Sequence, residues 1–272
     1  MTGLCLAGMK WLAYVLTVIG LNAVPVWGWF TQGWNLGTTL AIYWCETVLS
    51  GLLIALRIWV HRRLTRKKGH FRSQVGGTVT VNKRPAAKVI DDFLVEFLVV
   101  ILGFSFVQGI FIFVLVALLI PKLAGPAAAP NLANFRVGLT GVTLFLVVSF
   151  LLDLGSIRYR PFSWIRDMAG SAIGRVLVIQ FAILIGLPAM AFLNQPRAVF
   201  AVFAFLKFLG DLGAYIPQSD SKDEPPAWLA NLASRFPGAK PGEFSEYWRN
   251  EQAKEQKQRE EDEEVLAGPD DA

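Results

Sequence analysis

The stretch LGTTLAIYWCETVLSGLLIALRIWV, Leu36 to Val60, decides how the chain is read. It exceeds the roughly 20 apolar residues that a helix needs to cross a bilayer. Near its middle stands an acid, Glu46. At helical spacing Thr39, Tyr43, Glu46, Ser50 and Arg57 fall on one side of such a helix. A spanning helix cannot turn that stripe to lipid, so the other apolar segments are expected to form a wall around Glu46. The expected fold class is therefore all-α: an integral membrane helical bundle of about six transmembrane helices.

The composition agrees. Of 272 residues, 54% are hydrophobic and 17% charged, with mean hydropathy +0.45. A soluble domain carries nearer a quarter of charged residues. The N-terminal MTGLCLAGMK lacks a separate short apolar run with a small-residue cleavage site, so the first long segment is read as a retained helix. Cys5 and Cys45 lie in or beside apolar segments and read as small packing residues. The net charge of +5 hides an asymmetry. From Pro217 onward the chain holds 7 basic and 14 acidic residues, whereas the preceding part holds 19 basic and 7 acidic. A basic membrane part with an acidic tail points to headgroups and orientation, not to nucleic acid.

Taken in order, the helices are expected at about 9–29, 36–60, 92–120, 137–157, 174–193 and 196–216, with Pro25 and Pro188 as discontinuities. Trp27, Trp29 and Trp34 cluster where the first helix meets the second, as headgroup-level tryptophans do. The segment 61–90 carries Arg62, Arg63, Arg66, Lys67, Lys68, Arg72, Lys83, Arg84 and Lys88 with no acid among them. It is read as a solvated basic run that includes His61 and His70, with Gly76 to Val81 as a hairpin or a loop. A second basic stretch, 158–175, places Tyr159, Phe162 and Trp164 among arginines and reads as an interfacial segment. Anionic lipid headgroups are the expected partners of both. Asp153 reads as interfacial, beside Arg158. Six helices put these loops and both termini on one side, which then carries 14 basic residues against Lys122, Arg136 and Arg197 on the other. Both termini are accordingly expected in the cytoplasm.

Residues 1–216 form the expected membrane domain and 217–272 a cytoplasmic acidic tail. In that tail, 228–236 is a short amphipathic piece and 243–266 a charged helix. Glu251–Lys254, Glu255–Arg259 and Lys257–Glu261 stand three or four apart in it. The tail is expected to be solvated and open to a cytoplasmic protein partner.

Intramembrane ionisable residues are functional candidates by default. Besides Tyr43, Glu46 and Ser50, the sixth helix offers Lys207 and Asp211 four apart, able to pair along one face. Gln108, Gln180 and Arg175 complete the candidate polar site. Glu46 reads either as an acceptor for a proton or cation or as a structural partner for Lys207 or Arg175. No metal ligand set and no cofactor motif is found, and HExxH, GxSxG and P-loop patterns are absent.

TrpAsnLeuGly at Trp34 to Gly37, TyrTrpCysGlu at Tyr43 to Glu46, Gly51, and Arg57 with Ile58 together resemble the domain of unknown function 6498 family. Gly174–Arg175 and Lys207…Asp211 fit the same likeness, which spans Trp11 to Tyr215 loosely. The resemblance implies a prokaryotic multi-pass membrane protein of an uncharacterised group and carries no activity with it. Members often bear histidines in the third to sixth helices, where this chain has Gln108, Phe150, Gln180 and Tyr215. Three function classes remain: a small-solute or ion-coupled transporter, a structural or partner-binding membrane protein, and a carboxylate enzyme on a lipid-borne substrate.

Overall fold

A computed structural model describes residues 2–72, 92–114, 116–117, 130–193, 196–213, 225 and 243–266. The proposed hairpin at 76–81, the amphipathic piece at 228–236, Asp91 and Tyr215 lie outside the described residues. Seven α-helices are present among them: α1 (Thr2–Thr31), α2 (Leu36–Thr65), α3 (Phe93–Val114), α4 (Leu132–Leu154), α5 (Phe162–Leu193), α6 (Pro196–Gly213) and α7 (Glu243–Glu263). The all-α expectation is borne out.

Local chemistry sets the helix starts. Asn35 accepts a hydrogen bond from the Thr38 amide at 2.8 Å and caps α2. Asn131 does the same for α4 through the Asn134 amide at 3.1 Å, and Asp92 takes the Leu94 amide at 3.0 Å. Each side chain occupies a donor that the first turn leaves unpaired. Between α1 and α2, Gly33 has φ +64°, a conformation open to glycine at little cost. The helices run longer than expected at the basic end. α1 begins at Thr2, and α2 extends to Thr65 before Arg66 ends it in the left-handed region at φ 51°. The stretch expected as an interfacial segment consists of a 3₁₀ turn at Ile157–Tyr159 followed by the first turns of α5.

α2 is the hub, packed on α3, α4 and α5. Ile54, Ala55 and Ile58 meet Phe93, Phe97 and Ile101 of α3 and Phe162, Ile165, Ala169, Ala172 and Val176 of α5 in the largest core. On its other side Trp34 and Ile42 meet Leu21 of α1 and Val142 and Leu146 of α4. Close approach depends on missing side chains. A Cβ at Gly138 would stand 2.4 Å from Ile42 Cδ1, and one at Gly51 would stand 2.8 Å from Ile101 Cγ1.

The outside of the bundle is apolar. Phe106, Phe113, Val107, Leu144 and Phe205 are each more than half exposed. Among the described residues, four helices are long and apolar enough to cross a membrane: Ala13–Thr31 within α1, then α2, α3 and α4. α5 and α6 stand where the fifth and sixth expected helices were placed.

α7 lies where a charged helix was expected and is exposed along most of its length, but its C-terminal end is docked rather than free. It packs against the basic end of the bundle, on the Lys68–Phe71 3₁₀ turn and the start of α5. The sequence periodicity of α7 has no apolar face to announce this, because the attachment is ionic and backbone-mediated.

Candidate functional site

Three helices bring the expected polar residues together, and α1 supplies a residue that was not expected. The Lys207 ammonium on α6 donates to Glu46 Oε1 of α2 at 2.8 Å and to Asp211 Oδ2 at 2.8 Å. Its third donor goes to Asn22 Oδ1 on α1 at 3.2 Å. An ammonium has three N–H groups, so Lys207 is fully used. The Asn22 amide nitrogen returns a hydrogen bond to Asp211 Oδ2 at 2.9 Å, and Arg175 of α5 lies 3.6 Å from Asp211 Oδ1. Two cations and two carboxylates make the cluster formally neutral. The Tyr43 ring lies beneath the Lys207 ammonium at 5.4 Å from its centroid, within cation–π range. Glu46, Lys207 and Asp211 are 6%, 4% and 3% exposed. Charges this deep persist because each has an opposite charge within hydrogen-bond reach.

One atom stands apart. Glu46 Oε2 is buried and has no hydrogen-bond partner among the described residues, although Oε1 is fixed by Lys207. Glu46 borders a cleft of about 20 Å³ lined also by Ser50, Gly51, Ile101, Arg175 and Asp211. That volume suits a water molecule or a small ion.

The candidate residues are thus gathered unevenly. Tyr43, Glu46, Lys207, Asp211 and Arg175 form the cluster, and Ser50 lines its cleft. Gln108, 2% exposed, and Gln180 hold buried amide oxygens with no hydrogen-bond partner among the described residues, so neither joins the network by a hydrogen bond. Asn22 was not among the expected site residues because a single asparagine in the last turns of a helix does not reveal its partner. Its signal was the proline three residues on, which marked that turn as unusual.

A second buried pair gives Asp153 a partner other than the expected Arg158. Its carboxylate receives the Arg57 Nε hydrogen bond at 2.8 Å and one from the Tyr14 hydroxyl, and it is 5% exposed. Arg57 also reaches Ser149 Oγ at 3.4 Å and lies over the Phe150 ring at 5.2 Å. Asp153 turns inward because α4 packs along α2 at that level, which spacing within α4 alone could not reveal.

The histidines are likewise corrected. His61 and His70 are both 0% exposed, with His61 Nδ1 and His70 Nε2 2.7 Å apart. The Arg160 carbonyl, 3.0 Å from His61 Nε2, can only accept. His61 therefore carries its proton on Nε2, and its Nδ1 accepts from His70 Nε2–H. The Phe162 ring meets His70 edge-on at 4.8 Å. Burial, then the neighbouring His61 and the charges of Arg62 and Lys67, push the His70 imidazole down to about 3.

No curated protein and no solved structure matches this chain. Residues 7–228 match the family of unknown function DUF6498, a span that holds every residue of both buried ionic groups, and the chain belongs to that family.

Proposed function

We propose that this chain is a multi-pass protein of a prokaryotic inner membrane and serves as a small-solute or ion-coupled transporter with Glu46 as the coupling group. The observation that carries the reading is the divided state of that carboxylate. One oxygen is locked on Lys207, while the other has no hydrogen-bond partner among the described residues, and the residue lines a small cleft. A carboxylate with an open acceptor beside a water-sized space can take and release a proton or cation without dismantling the rest of the cluster. Glu46, Lys207, Asp211 and Arg175 belong to three different helices, so a change of charge at Glu46 is felt by α2, α5 and α6 together. Such buried groups at helix junctions are the usual coupling devices of carriers.

Orientation with both termini in the cytoplasm is supported by packing as well as by charge. Tyr14 of α1, Arg57 of α2 and Asp153 of α4 meet at one level, towards the end of the bundle that bears the basic turns and α7. Lys and Arg concentrate on the cytoplasmic side.

The test is charge movement in proteoliposomes fused to a solid-supported electrode and challenged with jumps in pH and in sodium chloride. Wild type is expected to give a transient current, and Glu46→Gln is expected to lose it while unfolding at nearly the same temperature. A structural role is the second reading, favoured by the complete use of Lys207's three donors. It requires the opposite pattern: no current in either protein, and a clear fall in unfolding temperature for Glu46→Gln.

A further inference from the structure

The basic end of the bundle carries a built surface that the transport reading leaves unused. Arg66, Lys67 and Lys68 follow the last turn of α2, Arg72 follows the 3₁₀ turn, and Arg166 stands in the second turn of α5. The run Glu260 to Glu264 at the end of α7 lies against them. Lys67 pairs with Glu263, Lys68 with Glu264 at 3.1 Å, and Arg72 with Glu261 at 3.0 Å. Asp262, 1% exposed, stands between Arg72 at 3.8 Å and Arg166 at 3.9 Å.

The backbone is engaged too. The Lys68 amide donates to the Glu264 carbonyl at 2.8 Å, and the Leu266 amide to the Arg66 carbonyl at 3.1 Å. Glu263 Oε1 accepts the Ser163 amide at 3.1 Å, in the first turn of α5. A carboxylate there satisfies an otherwise unpaired donor and suits the positive end of the helix dipole. Behind this face the surface is firm, because Gly69 lies flat against Phe162 and the two histidines tie α2 to the Arg160 carbonyl.

We propose that this basic surface binds anionic phospholipid headgroups and that the acidic end of α7 is its built-in competitor, docked when such lipid is scarce and displaced when it is abundant. The inference rests on the membrane reading above. The cations follow the last turn of α2, itself basic at Arg62 and Arg63, just beyond the apolar run that ends at Val60, where a cytoplasmic leaflet would present its phosphates. A carboxylate of the tail and a lipid phosphate offer each lysine or arginine the same charge-assisted bond. Partly exposed ion pairs are individually weak, and juxtamembrane cations gain comparably from an anionic surface. The two occupants are therefore close enough in strength for lipid composition to choose between them. The docked tail joins the end of α2 to the start of α5, the helices that carry Glu46 and Arg175. Its release frees those helix ends from one another.

The test uses the full-length chain with Cys5 and Cys45 changed to alanine, and with Lys68→Cys and Glu264→Cys as a reporter pair. Disulfide yield is measured after reconstitution in phosphatidylcholine vesicles with rising fractions of phosphatidylglycerol, at constant ionic strength. A high yield in phosphatidylcholine that falls several-fold with phosphatidylglycerol is expected. Asp262→Asn, added to the reporter, should shift that fall to lower phosphatidylglycerol. A low yield in every lipid, or a yield indifferent to phosphatidylglycerol, would overturn the inference. Equal displacement by inorganic phosphate at matched ionic strength would overturn the assignment to lipid. Failure of the chain to co-float with vesicles would remove the membrane reading itself, and this inference with it.

Discussion

Two ionic groups in this protein use the same chemistry under opposite conditions. At the centre of the bundle, Lys207 holds Glu46 and Asp211 with all three side chains at most 8% exposed. At the basic end, Lys68 and Glu264 pair at 3.1 Å with side chains 33% and 61% exposed. The distances are similar, but the surroundings are not. Water screens the outer pairs and can replace either partner, whereas a charge left alone inside has no substitute. The inner group is therefore fixed architecture with one adjustable atom, and the outer group is a reversible contact.

The sharpest way to break this comparison is Lys207→Met. It strands two buried carboxylates with Arg175 and Asn22 as their remaining partners, and loss of one partner of a buried pair costs about 3–5 kcal/mol. The expected outcome is a large fall in unfolding temperature in detergent, or failure to accumulate in the membrane. A change within error would show that the centre is wetter and softer than its burial indicates.

An intermediate effect is expected from acid at the tail junction. His70 binds a proton more weakly folded, at about 3, than its ordinary value of 6.5. Its contribution to stability is thus fully present above about 6.5 and declines as pH falls towards about 3, because the unfolded imidazole takes up the proton first. The carboxyl of Glu261, held below its usual range by Arg72, adds a loss only below its ordinary value of 4.5. Between those values, thermal melts should show stability falling with pH in wild type and a flatter profile in His70→Phe. A fall of equal slope in both proteins would assign the sensitivity elsewhere.

The smallest effect belongs to Lys254→Ala. Its partner Glu251 is 3.3 Å away, and the two side chains are 72% and 46% exposed. A helix-surface pair of this kind is worth a few tenths of a kcal/mol. The melting temperature is expected to stay within error of wild type, and α7 should remain docked. A measurable loss would mean that α7 depends on its own helicity rather than on the contacts at its end.

Much of the centre was legible in advance because its signals are local. Glu46 interrupts an apolar run, Tyr43 and Ser50 share its face, and Lys207 and Asp211 are one helical turn apart. What defeated the reading lies between helices. Asp153 looked interfacial from its place in α4, yet α2 brings Arg57 to it. His61 and His70 looked solvated among like charges, yet α5 and the Arg160 carbonyl enclose them. The tail looked free because ionic docking leaves no apolar stripe in its sequence.

The sequence by itself determined that the chain is helical, apolar on its outside and marked by charges that lipid cannot hold, because these follow from residue type and the 3.6-residue turn. Only the tertiary structure decided which charge meets which. Pairing depends on helix order, depth and rotation, and those are set by packing at places such as Gly51 and Gly138 rather than by spacing along any one helix.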